Sequence, residues 1–187
     1  LDTLQNSAGL WMRGILQDHY GVDLKSIEWW CQEEEDVPFE PAAWMKVRRV
    51  PKEKDLDRML VAGELEGALY PETLPSIRSR SPRVALLFPN SKEAEIDYYR
   101  KSGIFPIMHT VVIKNEILQK HPWAAVNVLR AFQKAKEICY ERMKDPRNFA
   151  LVWVKELMQE QEAIFGSDPW PYTLQQNRKA LEAVVRY

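Results

Sequence analysis

The chain has 187 residues, of which 45% are hydrophobic and 28% charged, with a formal net charge of −1. That balance excludes a disordered or fibrous protein, and it gives no basic surface suited to nucleic acid or an anionic membrane. No window approaches the run of about 20 apolar residues that a membrane-spanning helix needs, and two cysteines, Cys31 and Cys139, are too few for a disulfide framework and fit a reducing compartment.

Leu4, Ala8, Trp11 and Ile15 are spaced 4, 3 and 4 apart, which predicts a first helix with one apolar face. Gly21 is its natural stop, because glycine takes the left-handed cap at little cost. Arg13 falls about 180° from the centre of that stripe, on the polar side with Asn6 and Gln17. "IEWW" reads as a short strand and "CQEEEDVPFEPAA" as an acidic, proline-containing loop. Leu56, Met59, Leu60 and Ala62 predict a short helix ended by Gly63, followed by "GALY" as a short buried strand closed by Pro71. "RVALLFP" reads as another strand, and "SKEAEIDYYRKSG" as a helix stopped by Gly103.

"MHTVVIK" alternates as a strand should, with His109, Val111 and Ile113 on one side. From "HPWAAVNVLRAFQKAKEICYERM" onward the pattern is helical, with Pro122 at a first turn and Val128, Phe132, Ala135 and Cys139 as its buried stripe. "FALVWVKELMQEQEAIFG" reads as one further helix or two short ones, and "DPWPYTLQQNRKALEAVVRY" as a proline loop and a last helix. No internal repeat or low-complexity segment is present. The first half is therefore mixed α/β and the second nearly all helix. Apolar periodicity is already running at Leu4 and still running at the last residues, as expected of a fragment of a longer chain.

The sequence has no P-loop, GxGxxG, GxSxG or HExxH motif, and His19, His109 and His121 are not at metal-ligand spacing. Chemistry must come from polar groups in unusual places. His109 sits at the start of an apolar run, where imidazole can trade a proton near neutral pH; the plainer reading is a buried histidine bonded to a backbone carbonyl. Arg13 could clamp a carboxylate with two parallel hydrogen bonds, or simply be solvated. "EAEIDYYRKSG" places Glu95, Tyr98, Tyr99 and Arg100 within two turns, with Glu95 and Tyr99 on one face. These could offer a base, phenols and a cation to an aromatic acid; equally, the tyrosines of an amphipathic helix could cover a core. Tyr70 ends "GALY", at a cleft edge or in a wet core. "EEED" is a cation-attracting run or a solvated loop, and the seven tryptophans read mostly as core or interface residues.

"WMRGILQDHYGVD", "DYYRKSGIFPIMHTVVIK", "HPWAAVNVLRAFQKAKE" and "FGSDPWPYTLQQNRKALEAVVRY" occur in an order that resembles the 4,5-dihydroxyphthalate decarboxylase-like family, from about Leu10 to Tyr187. That resemblance implies the fold of type II periplasmic solute-binding proteins, an α/β architecture of two lobes around a central cleft. It implies that residues 1–105 form the second lobe. Residues 106–187, one strand and then helices, would be the C-terminal part of an incomplete first lobe whose opening strands would precede Leu1. His109 would sit near the crossover, facing the cleft. The chain departs from the family where "KSG" replaces a threonine-glycine pair and in the stretch "CQEEEDVPFEPAAWMKVRRV", so the substrate is the least constrained part.

The activity so implied is cofactor-independent loss of CO2 from a dihydroxylated aromatic dicarboxylate. His109 would be the proton donor and Glu95 the phenol base; Arg13 and Arg100 would hold carboxylates, and Tyr99 and Tyr70 would line the ring. No metal, nucleic acid or membrane partner is expected, and a homo-oligomer is left open. The expected compartment is the cytoplasm, or the periplasm if a signal precedes residue 1. The rival reading is a transporter's solute-binding protein that closes on a small organic acid without turnover.

Overall fold

The computed structural model describes residues 1–187, a helix-rich, mixed α/β chain with one small parallel sheet. It divides into two compact units, one of residues 1–108 with 181–187 and the other of residues 109–180. No helix is long and apolar enough to cross a membrane.

In the first unit, helix α1 (Ser7–Tyr20) begins where the Asn6 side chain accepts from the backbone N–H groups of Ala8 and Gly9. It ends at Gly21, whose φ of 67° is the left-handed cap foreseen for it. Strands β1 (Glu28–Cys31) and β2 (Lys46–Arg49) pair in parallel with Trp29 opposite Val47 and Cys31 opposite Arg49. Along β1, Gln32 N–H also donates to the carbonyls of Leu1 and Asp2 at 3.1 Å. Leu1, Leu4, Leu24, Trp29 and Cys31 form the buried core beside this sheet, with Val47 and Leu69 packed against it.

β2 has no counterpart in the sequence reading. Its four residues, Lys46–Val47–Arg48–Arg49, carry three cations, as suits an edge strand that must not recruit further strands. Helix α2 (Leu56–Ala62) has its Asp55 cap, buries Leu56 and Met59, and stops at Gly63. Its Asp57 carboxylate receives the backbone N–H of Ser76 at 3.0 Å and also the Ser76 hydroxyl, fixing the start of α3 (Pro75–Arg78). Helix α4 (Ser91–Ser102) ends at Gly103, whose φ of 66° and bond to Tyr99 O at 2.7 Å make the expected stop.

Three expected strands do not form. "GALY", "RVALLFP" and "MHTVVIK" are all without ladder pairing. A β ladder needs a partner strand about 4.8 Å away, and no strand beyond β1 and β2 exists to provide one. The apolar reading survives only in part: Leu69 packs on the core, whereas Leu86, Leu87, Val111 and Val112 are exposed.

The second unit contains α5 (Asn115–Lys120), α6 (Ala124–Met143), a 3-10 turn (Pro146–Asn148), α7 (Val154–Phe165) and the start of α8 (Arg178–Arg186). The stripe Val128, Phe132, Ala135 and Cys139, expected to be buried, is exposed throughout. A stripe of helical spacing is buried only where a second layer lies over it, and in this unit only Val154, Pro169 and Ala180 are buried.

Candidate functional site

Arg13 lies on α1, but it is buried, with 8% of its surface exposed. The expectation that it would face solvent fails because Leu4 precedes the helix proper and folds back over it. Arg13 Nη2 donates to Leu4 O at 2.7 Å, and the guanidinium carbon stands 5.7 Å from the centre of the Trp29 ring. Glu35 holds the same turn from the other side, its carboxylate accepting from Leu4 N–H at 2.7 Å and Gln5 N–H at 3.0 Å. Burial lowers the Arg13 pKa below the ordinary arginine value, with Cys31 and Glu35 acting in the opposite sense.

Two donors remain unanswered here. Arg13 Nη1 and Trp29 Nε1 are both buried and have no hydrogen-bond acceptor. Buried polar groups are nearly always paired, and an unmade bond to a charged group costs about 1–3 kcal/mol or more. Gly9 lies against this group: a Cβ there would touch Nη1 at an ordinary 3.6 Å but press on the Leu1 side chain at 3.3 Å. A cationic fork and an indole ring thus stand beside each other in the first unit, donors of the kind from which a carboxylate accepts. Trp29 was missed as anything beyond core; no local signal marks an indole that will lie beside a buried arginine from another element.

The other candidates are dispersed. Glu95 and Arg100 are exposed on α4, with Tyr99 half-buried between them in sequence. Glu95 and Tyr99 share a helix face as their spacing requires, while Tyr98 points inward and is buried. Tyr70 is half-buried in an irregular segment, and burial followed by the nearby Asp2, Glu72 and Glu33 carboxylates raises its phenol pKa. His109 opens the second unit, exposed and outside any strand, so it is not the buried, carbonyl-bonded histidine of the plainer reading. No group of three or more histidine, cysteine or carboxylate side chains could hold a metal ion.

The sequence reading also passed over a polar cluster in the second unit. Lys136 Nζ on α6 donates to Asp168 Oδ2 at 2.6 Å and Trp170 O at 2.9 Å, and lies 4.2 Å from the centre of the Tyr172 ring. Tyr140 donates to Asp168 Oδ1 at 3.2 Å; burial, then the Asp168 charge, push its phenol up to about 12. This cluster ties the "DPWPY" loop to α6. Its signal was the one-turn spacing of Lys136 and Tyr140, which puts both on one helix face.

No protein-family model matches the chain. Among curated proteins, 4,5-dihydroxyphthalate decarboxylase of Comamonas testosteroni is similar, at 24% identity over 186 residues. The similarity covers 95% of this chain and 56% of that protein, so the chain spans little more than half the length of its relative. The relationship is a distant one.

Proposed function

We propose that the chain belongs to a decarboxylase-like protein acting on an aromatic carboxylic acid, with 4,5-dihydroxyphthalate as the first substrate to try. The carrying observation is the pair of unanswered buried donors, Arg13 Nη1 and Trp29 Nε1. A carboxylate accepts from both, and its aromatic ring suits the apolar surroundings. The distant decarboxylase relative supports the reaction type.

In the reaction, the hydroxyl para to the departing carboxylate loses its proton to a carboxylate base, the part the sequence reading gives to Glu95. The phenolate drives electron density to the carboxyl-bearing carbon, and that carbon takes a proton supplied by solvent. The bond to the carboxylate carbon then breaks, CO2 leaves, and its electron pair restores the aromatic ring. The base returns its proton to the phenolate oxygen. The substrate is its own electron sink, so the residues supply positioning and proton transfer. Arg13 anchors one carboxylate through its unanswered donor, while Glu95, Tyr99 and Arg100 on α4 and Tyr70 on an irregular segment take their parts from the resemblance alone.

The test is isothermal titration with 4,5-dihydroxyphthalate, alongside trapping of CO2 and chromatography for protocatechuate. Binding with CO2 release, abolished by Glu95→Gln, is the expected result. A second reading, binding of the acid without turnover, rests on the same donor pair, which speaks for binding alone; saturable binding with no CO2 would select it. Titration heats identical for the natural chain and Arg13→Met would remove both readings.

A further inference from the structure

The first unit carries two exposed segments of opposite charge that it does not pair with each other. Arg78, Arg80 and Arg83 are all exposed within six residues, and none is in an ion pair. Arg80 is the single non-glycine residue with a positive φ, at 56°. It stands two past the end of α3 and one past its cap Ser79, where Ser81 N–H returns to Ser76 O at 2.9 Å, the closing bond of a helix C-cap that ordinarily carries glycine. The chain places glycine at the comparable stops of α1, α2 and α4. A side chain held in the left-handed region at a steric cost points to a use for that side chain. Exposed Leu86 and Leu87 follow three and four residues after Arg83.

The complementary segment is "EEEDVPFEP". Glu33 and Asp36 are exposed and outside any ion pair, and Val37 and Phe39 beside them are exposed large hydrophobics. One segment thus offers cations with two leucines, and the other carboxylates with a valine and a phenylalanine. A long polyanion such as nucleic acid fits less well, because the carboxylate run in the same unit would repel it.

We propose that the arginine turn 78–83 docks on the acidic segment 33–40 of a second copy of this chain, the two copies exchanging the contact reciprocally. Both segments lie in one compact unit, so a two-fold arrangement closes with each contact made twice.

Sedimentation equilibrium of the natural chain tests it. The expected mass exceeds the 21.9 kDa of one chain at low salt and falls toward it near about 0.5 M salt, where exposed charges are screened within a few ångströms. Arg80→Gly is expected to weaken association about tenfold while raising the unfolding temperature, since glycine fits the turn better. Arg78→Glu with Arg83→Glu should abolish self-association, and mixing that chain with Glu33→Lys/Asp36→Lys should restore a mixed pair. A single-chain mass at every salt concentration, or association indifferent to both salt and the arginine changes, overturns the proposal.

Discussion

The ring of Tyr187 occupies the place that a Cβ on Gly14 would take, with ring carbons 2.1 Å from that position. The same ring meets Trp11 edge-on, at 5.7 Å between centroids and 86° between planes. Gly14 therefore lies in the middle of α1 because the end of the chain packs there, although glycine is a poor helix former. Gly14→Ala is expected to destabilise by about 1–2 kcal/mol: an approach this close puts overpacking at about 2–3, and alanine's helix preference returns about 1. Tyr187→Ala should cost less in the Gly14→Ala background than in the natural chain. Urea unfolding of the four-member cycle reads this directly, and a Gly14→Ala chain of equal or greater stability would contradict the packing.

Asp18, on the same stretch of α1, accepts from Arg186 Nη2 at 2.5 Å. This bond lowers the Asp18 pKa below the ordinary aspartate value. A carboxylate whose pKa is depressed on folding binds protons more readily when unfolded, so its stabilisation is present above about pH 4. It is lost as pH falls through the lower folded value. The stability difference between the natural chain and Asp18→Asn should accordingly be widest at neutral pH and shrink below pH 4. A difference that stays constant from pH 7 into the acid range would mean that the ion pair contributes nothing.

The two thiols should separate by reactivity. Cys31 is 1% exposed in the core of the first unit, and burial raises its pKa and disfavours the nucleophilic thiolate. Cys139 is exposed on α6. A chromogenic disulfide reagent at mildly alkaline pH should therefore label Cys139 promptly and Cys31 only after denaturant is added. Equal labelling of both in the native chain would argue against the core assigned here.

Lys136→Met removes the charge that ties Asp168 and the Trp170 carbonyl to α6 while keeping the apolar stem. The expected loss is about 1 kcal/mol, the figure for a charged hydrogen bond reduced because Asp168 is partly solvated. Protease cleavage after Tyr172 should quicken in this variant. Unchanged unfolding and cleavage would show that proline stiffness, and not the lysine, holds the loop.

The legible parts of the fold are those set within a turn or two of chain. Gly21, Gly63 and Gly103 end α1, α2 and α4 where the pattern placed them, because a left-handed cap depends on one residue and its immediate neighbours. β1 was legible, whereas β2 was not, since its charged residues lack the alternation that marks a half-buried strand. "MHTVVIK" shows the opposite failure: it has the alternation but forms no ladder.

Candidate-site residues divide in the same way. The sequence placed Glu95 and Tyr99 on one face, a relation of helix geometry alone. It put Arg13 on the solvated side, and the tertiary structure buried that residue under Leu4 and beside Trp29. By itself, then, the sequence determined the positions of α1, α2, α4 and α6 but not of α3 or α5, a globular class without membrane-spanning helices, and the resemblance that suggested an acid substrate. Only the tertiary structure decided which strands pair and which arginine loses water. Pairing and desolvation depend on groups brought from distant positions, and no local window contains both partners.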